Sequence, residues 1–311
     1  MSERFTYNFK TESLEEFNFS LLYTCNFELG TSLIKTWSEL IDEYSFLMDF
    51  YSDYEEPNKE ISEFLKKMDR INEIATVRLA YLGGIKNWVI TCGSLFFKYE
   101  NEIQKSILLH ELGHVIVNER NLVGSLFSQY QNIEHYFNIF CSNINKKNKY
   151  YISVEKSIQD FFEFYIFDII KIPGELYANL WVYFNCIKYF RIIIDNQFTN
   201  YKNINMQVRK NIKNRLLKHI LIYLVLRLQV LLSVLKNDDE LFDEITKYIE
   251  ELLSELKILV TKKEYRIILK TKKQINKICY SLDDINRNYL VLFNNYLNNI
   301  KLKPQDFLLY P

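Results

Sequence analysis

Apolar residues recur every three or four positions along most of this chain, and two neighbouring stretches break that rhythm. Between residues 31 and 50, Leu33, Ile34, Trp37, Leu40, Ile41, Tyr44 and the pair Leu47–Met48 mark one face of an amphipathic helix. The acidic run Asp53–Glu60 interrupts it, and a second helix is predicted over 59–68. The texture then changes. "ATVRLAYL" (Ala75–Leu82) and "NWVITCGSLFFKY" (Asn87–Tyr99) are rich in β-branched and aromatic residues. With the turn-like Gly83-Gly84-Ile85-Lys86 between them, they predict a β-hairpin.

A helix is predicted from Asn101, read as its N-cap, with Gln104 three residues later completing a capping box. Its apolar positions (Ile103, Ile107, Leu108, Leu109, Leu112, Val115, Ile116, Val117) lie almost all round, so it belongs in the interior. Helical spacing continues over 125–143 and 152–171. Pro173-Gly174 punctuates it, and a very apolar helix follows to about Ile194. "DNQFTNYKNIN" (Asp195–Asn205) reads as a linker, with further helices at 206–236, 240–260, 263–280 and 283–300. The expected fold is α+β and mostly α: a helical segment over 1–74, a core with a small hairpin over 75–195, and a helical bundle over 206–311.

Composition agrees. Of 311 residues only 7 are Gly and 4 are Pro, while 48% are hydrophobic, enough for a substantial core. The 39 basic and 39 acidic side chains cancel, so no nucleic-acid partner is expected. The charge is unevenly spread: residues 1–60 hold 13 acidic and 4 basic groups, and residues 257–277 hold 8 basic and 1 acidic. Five cysteines, an odd number with no CxxC pair, fit reduced thiols in a cytosol-like compartment and form no metal cluster. The opening MSERFTYNFK has no apolar signal core. His219–Leu235 is the most apolar run, but it carries Arg227 and Gln229 and falls short of the roughly 20 apolar residues a span needs. It reads as a buried helix, and a cytoplasmic protein without a membrane span is expected.

The chemistry concentrates in "SILLHELGHVIVNE" (Ser106–Glu119). Residues i and i+4 of a helix share a face, so His110 and His114 can direct both imidazoles at one ion. Zinc takes such nitrogens at about 2.0–2.1 Å and, in catalytic sites, keeps one position for water. Glu111, beside the first His, is placed to take a proton from that water and pass it to a leaving amine. Small Gly113 avoids crowding the motif.

A strand, a second strand and then this motif helix resemble the zincin metallopeptidases over about residues 75–195. The resemblance implies a zinc-dependent peptidase acting on a peptide or protein. It also implies a substrate held by main-chain pairing along the strand before the helix, here Trp88, Val89, Ile90, Thr91, Cys92 and Gly93. Val117 and Arg120 stand where the metzincin branch has Gly and His, which excludes that branch. The third ligand is then expected to be a carboxylate from a later helix: Glu175, with Glu134 as the alternative. Glu175, in "PGELYANLW", resembles the Glu-x-x-Ala-Asn/Asp pattern of gluzincins such as the ImmA/IrrE-like peptidases and the prenyl-protein proteases. There Asn179 would orient a ligand imidazole, and Ala178 would allow close helix approach. Glu134, in "NIEHYFN", stands at the thermolysin-like spacing after His114, with Asn138 four residues on. His219, Tyr177 and Tyr183 are possible oxyanion donors, but no spacing rule selects one. The other class of function open to this sequence is a helical interaction module with a degenerate or purely structural metal site.

Overall fold

The computed structural model describes residues 19–23, 35–37, 39–40, 43, 74–82, 84–93, 95–122, 174–210, 225, 228–232, 235 and 239–278. These are mostly helical, with one small sheet. The predicted helices at 59–68, 125–143, 152–171 and 283–300 lie outside the described residues.

Two compact units divide the chain: residues 7–122 with 177–195, and 1–6 with 123–176 and 196–311. In the first, strands β1 (Phe19–Tyr23), β2 (Ala75–Leu82) and β3 (Ile85–Cys92) form a sheet in the order β1–β3–β2. β2 and β3 are the expected hairpin, antiparallel, with Leu82 opposite Ile85. Ile85 and Lys86, expected in the turn, already belong to the strand. Gly84 sits at φ +81°, in the left-handed region that a side chain disfavours.

β1 pairs with β3 in parallel, from Phe19 opposite Trp88 to Tyr23 opposite Cys92. This corrects one expectation. Trp88, Val89, Ile90, Thr91 and Cys92 form a central strand, whose backbone N–H and C=O groups go alternately to the neighbours on its two sides. No ladder position remains there for a substrate. Gly93 lies past the strand end, with its N–H donating to Ile74 O at 3.0 Å. The chain then makes a 3-10 turn at Phe96–Lys98 around a fully buried Phe96, so Asn87–Tyr99 is not one strand.

Helix α1 (Asn101–Glu119) packs against β2. Leu108, Leu109, Leu112, Val115 and Ile116 are all 0% exposed, as the all-round apolar spacing predicts. Each such side chain contributes about 1.5–3 kcal/mol relative to staying in water. Glu119, at the helix end, accepts the Trp88 indole N–H at 2.7 Å and pairs with Lys86, which fixes α1 over the hairpin.

The expected capping box does not form. The N-cap is Glu100, and it makes no side-chain cap bond. Asn101 is drawn instead to tertiary partners: its Oδ1 accepts from Thr36 (2.9 Å) and its Nδ2 donates to Glu39 (2.7 Å). Gln104 donates to Tyr99 O. Thr36 belongs to the first predicted helix, whose described residues are helical, with Trp37 and Leu40 buried. Lys105 is buried nearby, 3.5–3.7 Å from Glu39, Glu43 and Glu102. The bond from Lys188 holds the Glu102 carboxyl below its usual range.

The helix over 174–185, α2, is broken at Cys186 and followed by α3 (Ile187–Lys210). Burial pushes the Cys186 thiol up to about 12, and the Glu43 carboxylate adds to the shift. Asp195–Asn205, expected as a linker, is the middle of α3. Its apolar residues explain this. Phe198 and Tyr201 stand three apart on one helical face, both are buried, and the Phe198 ring stacks on Tyr248 at 3.9 Å.

Two further helices, α4 (Asp239–Leu259) and α5 (Lys262–Ile278), match the predicted spans closely. The buried stripe of α4 is Leu241, Ile245, Ile249, Leu252 and Leu256. α5 opens with a capping box: the Glu264 carboxylate accepts from Thr261 N–H (2.8 Å), and Thr261 Oγ1 accepts from Glu264 N–H (3.2 Å). No helix among the described residues is long and apolar enough to cross a membrane.

Candidate metal centre

His110 and His114 lie one turn apart on α1 and are half-buried, while Leu109, Glu111, Leu112 and Gly113 between and beside them are buried. The helix thus turns most of its surface inward and leaves both imidazoles at the rim of the core. Their Nε2 atoms face each other at 3.1 Å. The rings stand nearly perpendicular, at 83°, with centroids 4.6 Å apart. Two nitrogens bound tetrahedrally to one ion at about 2.0–2.1 Å would stand about 3.4 Å apart. The pair is therefore already close to the separation that chelation requires.

α2 brings the third donor. Ligand atoms of His110, His114 and Glu175 all lie within 4.8 Å of one another, and this His-His-Glu triad can hold a metal ion. One turn further along α2, Asn179 is 3% exposed, and its Oδ1 lies 2.9 Å from His110 Nδ1. An amide oxygen can only accept, so Nδ1 of His110 carries the proton and Nε2 keeps its lone pair for a metal. Asn179 thus favours the tautomer in which the His110 nitrogen facing His114 keeps its lone pair.

The two helices can meet this way because Gly113 faces Ala178. A Cβ placed on Gly113 would stand 2.7 Å from Ala178 O and 2.9 Å from Ala178 Cα. That is backbone against backbone, with no rotamer to relieve it. Among the remaining polar groups, Asn118 donates to His114 O at 2.7 Å. Glu111 is 8% exposed.

The structure thus brings together His110, His114, Glu175 and Asn179, with Glu111 next to the first ligand. The competing Glu134 lies outside the described residues, as do His135 and His219. Tyr177 is buried within α2, and Tyr183 packs edge-on against Phe184 and Phe190. Sequence reading missed Glu119, which ties the end of the motif helix to Trp88. A bond between residues so far apart in the chain leaves no local pattern to find.

Asn179→Ala is expected to weaken binding of added zinc or cobalt about 10–100-fold, since all three ligands remain but His110 loses its orienting partner. Competition against a chromophoric chelator measures this. An unchanged affinity would show that the ring is held by something else.

Compared with known protein families, curated proteins and solved structures, the chain matches none.

Proposed function

We propose that this protein is a zinc-dependent peptidase of the gluzincin type. The observation that carries the reading is the convergence of two Nε2 atoms and one carboxylate, with a second, buried carboxylate adjacent in sequence to the first imidazole. Two imidazoles and one glutamate suit zinc, and three protein ligands are the number used in catalytic rather than structural sites. When bound there, zinc would supply a water acidified towards a pKa of about 7 and would polarise a substrate carbonyl.

The chain's own residues have separate tasks in this reading. Glu111 accepts the proton released as water attacks the peptide carbon, and returns it to the amine nitrogen as the C–N bond breaks. His110, His114 and Glu175 hold the metal, and Asn179 keeps His110 in the ligating tautomer. Because β3 is central, a substrate would pair instead along β2, which among the described residues has a strand on one side only. β2 is also the strand against which α1 packs.

Metal analysis of the purified chain tests the proposal. Wild type is expected to hold close to one zinc per chain. Glu175→Ala, losing one of three protein ligands, is expected to lose most of it at micromolar free zinc. Glu134→Ala is expected to retain it. Zinc retained in Glu175→Ala and lost in Glu134→Ala would reassign the ligand. No zinc uptake by wild type would end the peptidase reading and leave a helical interaction module.

A further inference from the structure

The most exposed large apolar side chain among the described residues is Ile258, at 77%, in the last turn of α4. It has basic neighbours. Lys257 precedes it, and α5 begins four residues after it. On α5, Lys262, Lys263, Arg266, Leu269, Lys270 and Lys273 are all exposed. At 100° per residue these six fall within about a third of the helix circumference, and Lys262 to Lys273 spans about 16 Å. Buried Ile268, Thr271 and Ile275 occupy the opposite side. The outer stripe is therefore fixed by the way α5 is seated. Its one acid, Glu264, is turned back onto the Thr261 cap. Among the described residues, none of these five cations is ion-paired.

A solvated helix face ordinarily mixes both signs of charge. Here five cations stand together, and among them is Leu269, 41% exposed, while Ile258, 77% exposed, lies four residues before α5 begins. We propose that this edge docks on an anionic lipid surface: the cations meet headgroup phosphates and carboxylates, and Ile258 and Leu269 enter the headgroup boundary. The apolar pair decides between polyanions. Nucleic acid would reward the lysines but gain nothing from a projecting isoleucine. The stripe also offers no exposed aromatic ring for bases to stack on. A bilayer surface rewards both components, electrostatic attraction and apolar contact. The inference does not depend on the metal centre and involves other elements of the fold.

The test is co-sedimentation of the full chain with phosphatidylcholine vesicles, with and without about one-third phosphatidylserine. Binding is expected only with phosphatidylserine, and it should weaken as salt is raised. Each cation near such a surface is worth roughly fivefold in partitioning, so Lys262→Gln, Arg266→Gln and Lys270→Gln together should lower it roughly a hundredfold. Ile258→Ser leaves the charge intact and is expected to lower it about fivefold. All four positions are exposed, and an unchanged circular-dichroism melt will confirm that the variants fold. Failure to bind phosphatidylserine vesicles at low salt would overturn the proposal. So would tighter binding to duplex DNA that is indifferent to Ile258→Ser.

Discussion

Glu111→Gln is expected to keep its zinc and lose turnover by about 10²–10⁴-fold, the usual contribution of a positioned general base. The side chain is buried, and glutamine fills nearly the same volume, so the packing of α1 should survive. The triad proposed to hold the metal does not include Glu111, so zinc content should stay at the wild-type level. What would disappear under the proposed function is the ability to accept a proton and return it to the leaving amine. The two quantities must be measured on the same preparation, zinc by elemental analysis and turnover with quenched fluorescent peptides. Peptide hydrolysis that survives Glu111→Gln undiminished would remove Glu111 from the mechanism. Loss of zinc together with activity would mean that this carboxylate helps to hold the metal. A protein that only binds a partner would show no turnover in either form and would keep that partner in both.

The second large effect concerns Gly113→Ala, where the direction alone is decisive. Alanine is favoured over glycine inside a helix by about 1 kcal/mol, so an isolated α1 would be stabilised. In this structure the added Cβ meets Ala178 backbone atoms at 2.7 and 2.9 Å. Relief requires α1 and α2 to move apart, and overpacking of that kind costs about 1–3 kcal/mol. The contact outweighs the propensity, so the variant should melt below wild type. Zinc affinity should fall at least tenfold, since the ligands and Asn179 sit on the two helices that must separate. Thermal melts with and without zinc, together with chelator competition, measure both effects. A raised melting temperature with unchanged zinc affinity would mean that the helices do not cross at Gly113.

Local geometry made much of this molecule readable in advance. His110 and His114 share a face because a helix turns by 3.6 residues, whatever surrounds it. The hairpin at Ala75–Cys92 follows from β-branched runs around two glycines, and α4 and α5 follow from apolar spacing that short-range sterics impose. The same spacing misled at Asp195–Asn205, where polar residues suggested a linker. Buried Phe198 and Tyr201 were the better signal, because two aromatic rings packed on one face outweigh the weak helix propensities of their neighbours.

What no local rule contains is the choice of partner across the chain. The sequence favoured Glu175 over Glu134; the structure brings Glu175 beside the imidazoles, and Glu134 lies outside the described residues. β1 pairs with β3 across a long intervening stretch, and that pairing made β3 central, with β2 flanked on one side only among the described residues. Asn101 looked like a cap until Thr36 and Glu39 competed for its side chain. The sequence therefore determined the elements and the shared face of His110 and His114, because helix and hairpin periodicity are set within a few residues. Tertiary structure brought Glu175 to the two imidazoles and Asn179 to His110, and gave β3 a strand on each side, because each depends on which buried surfaces close against one another.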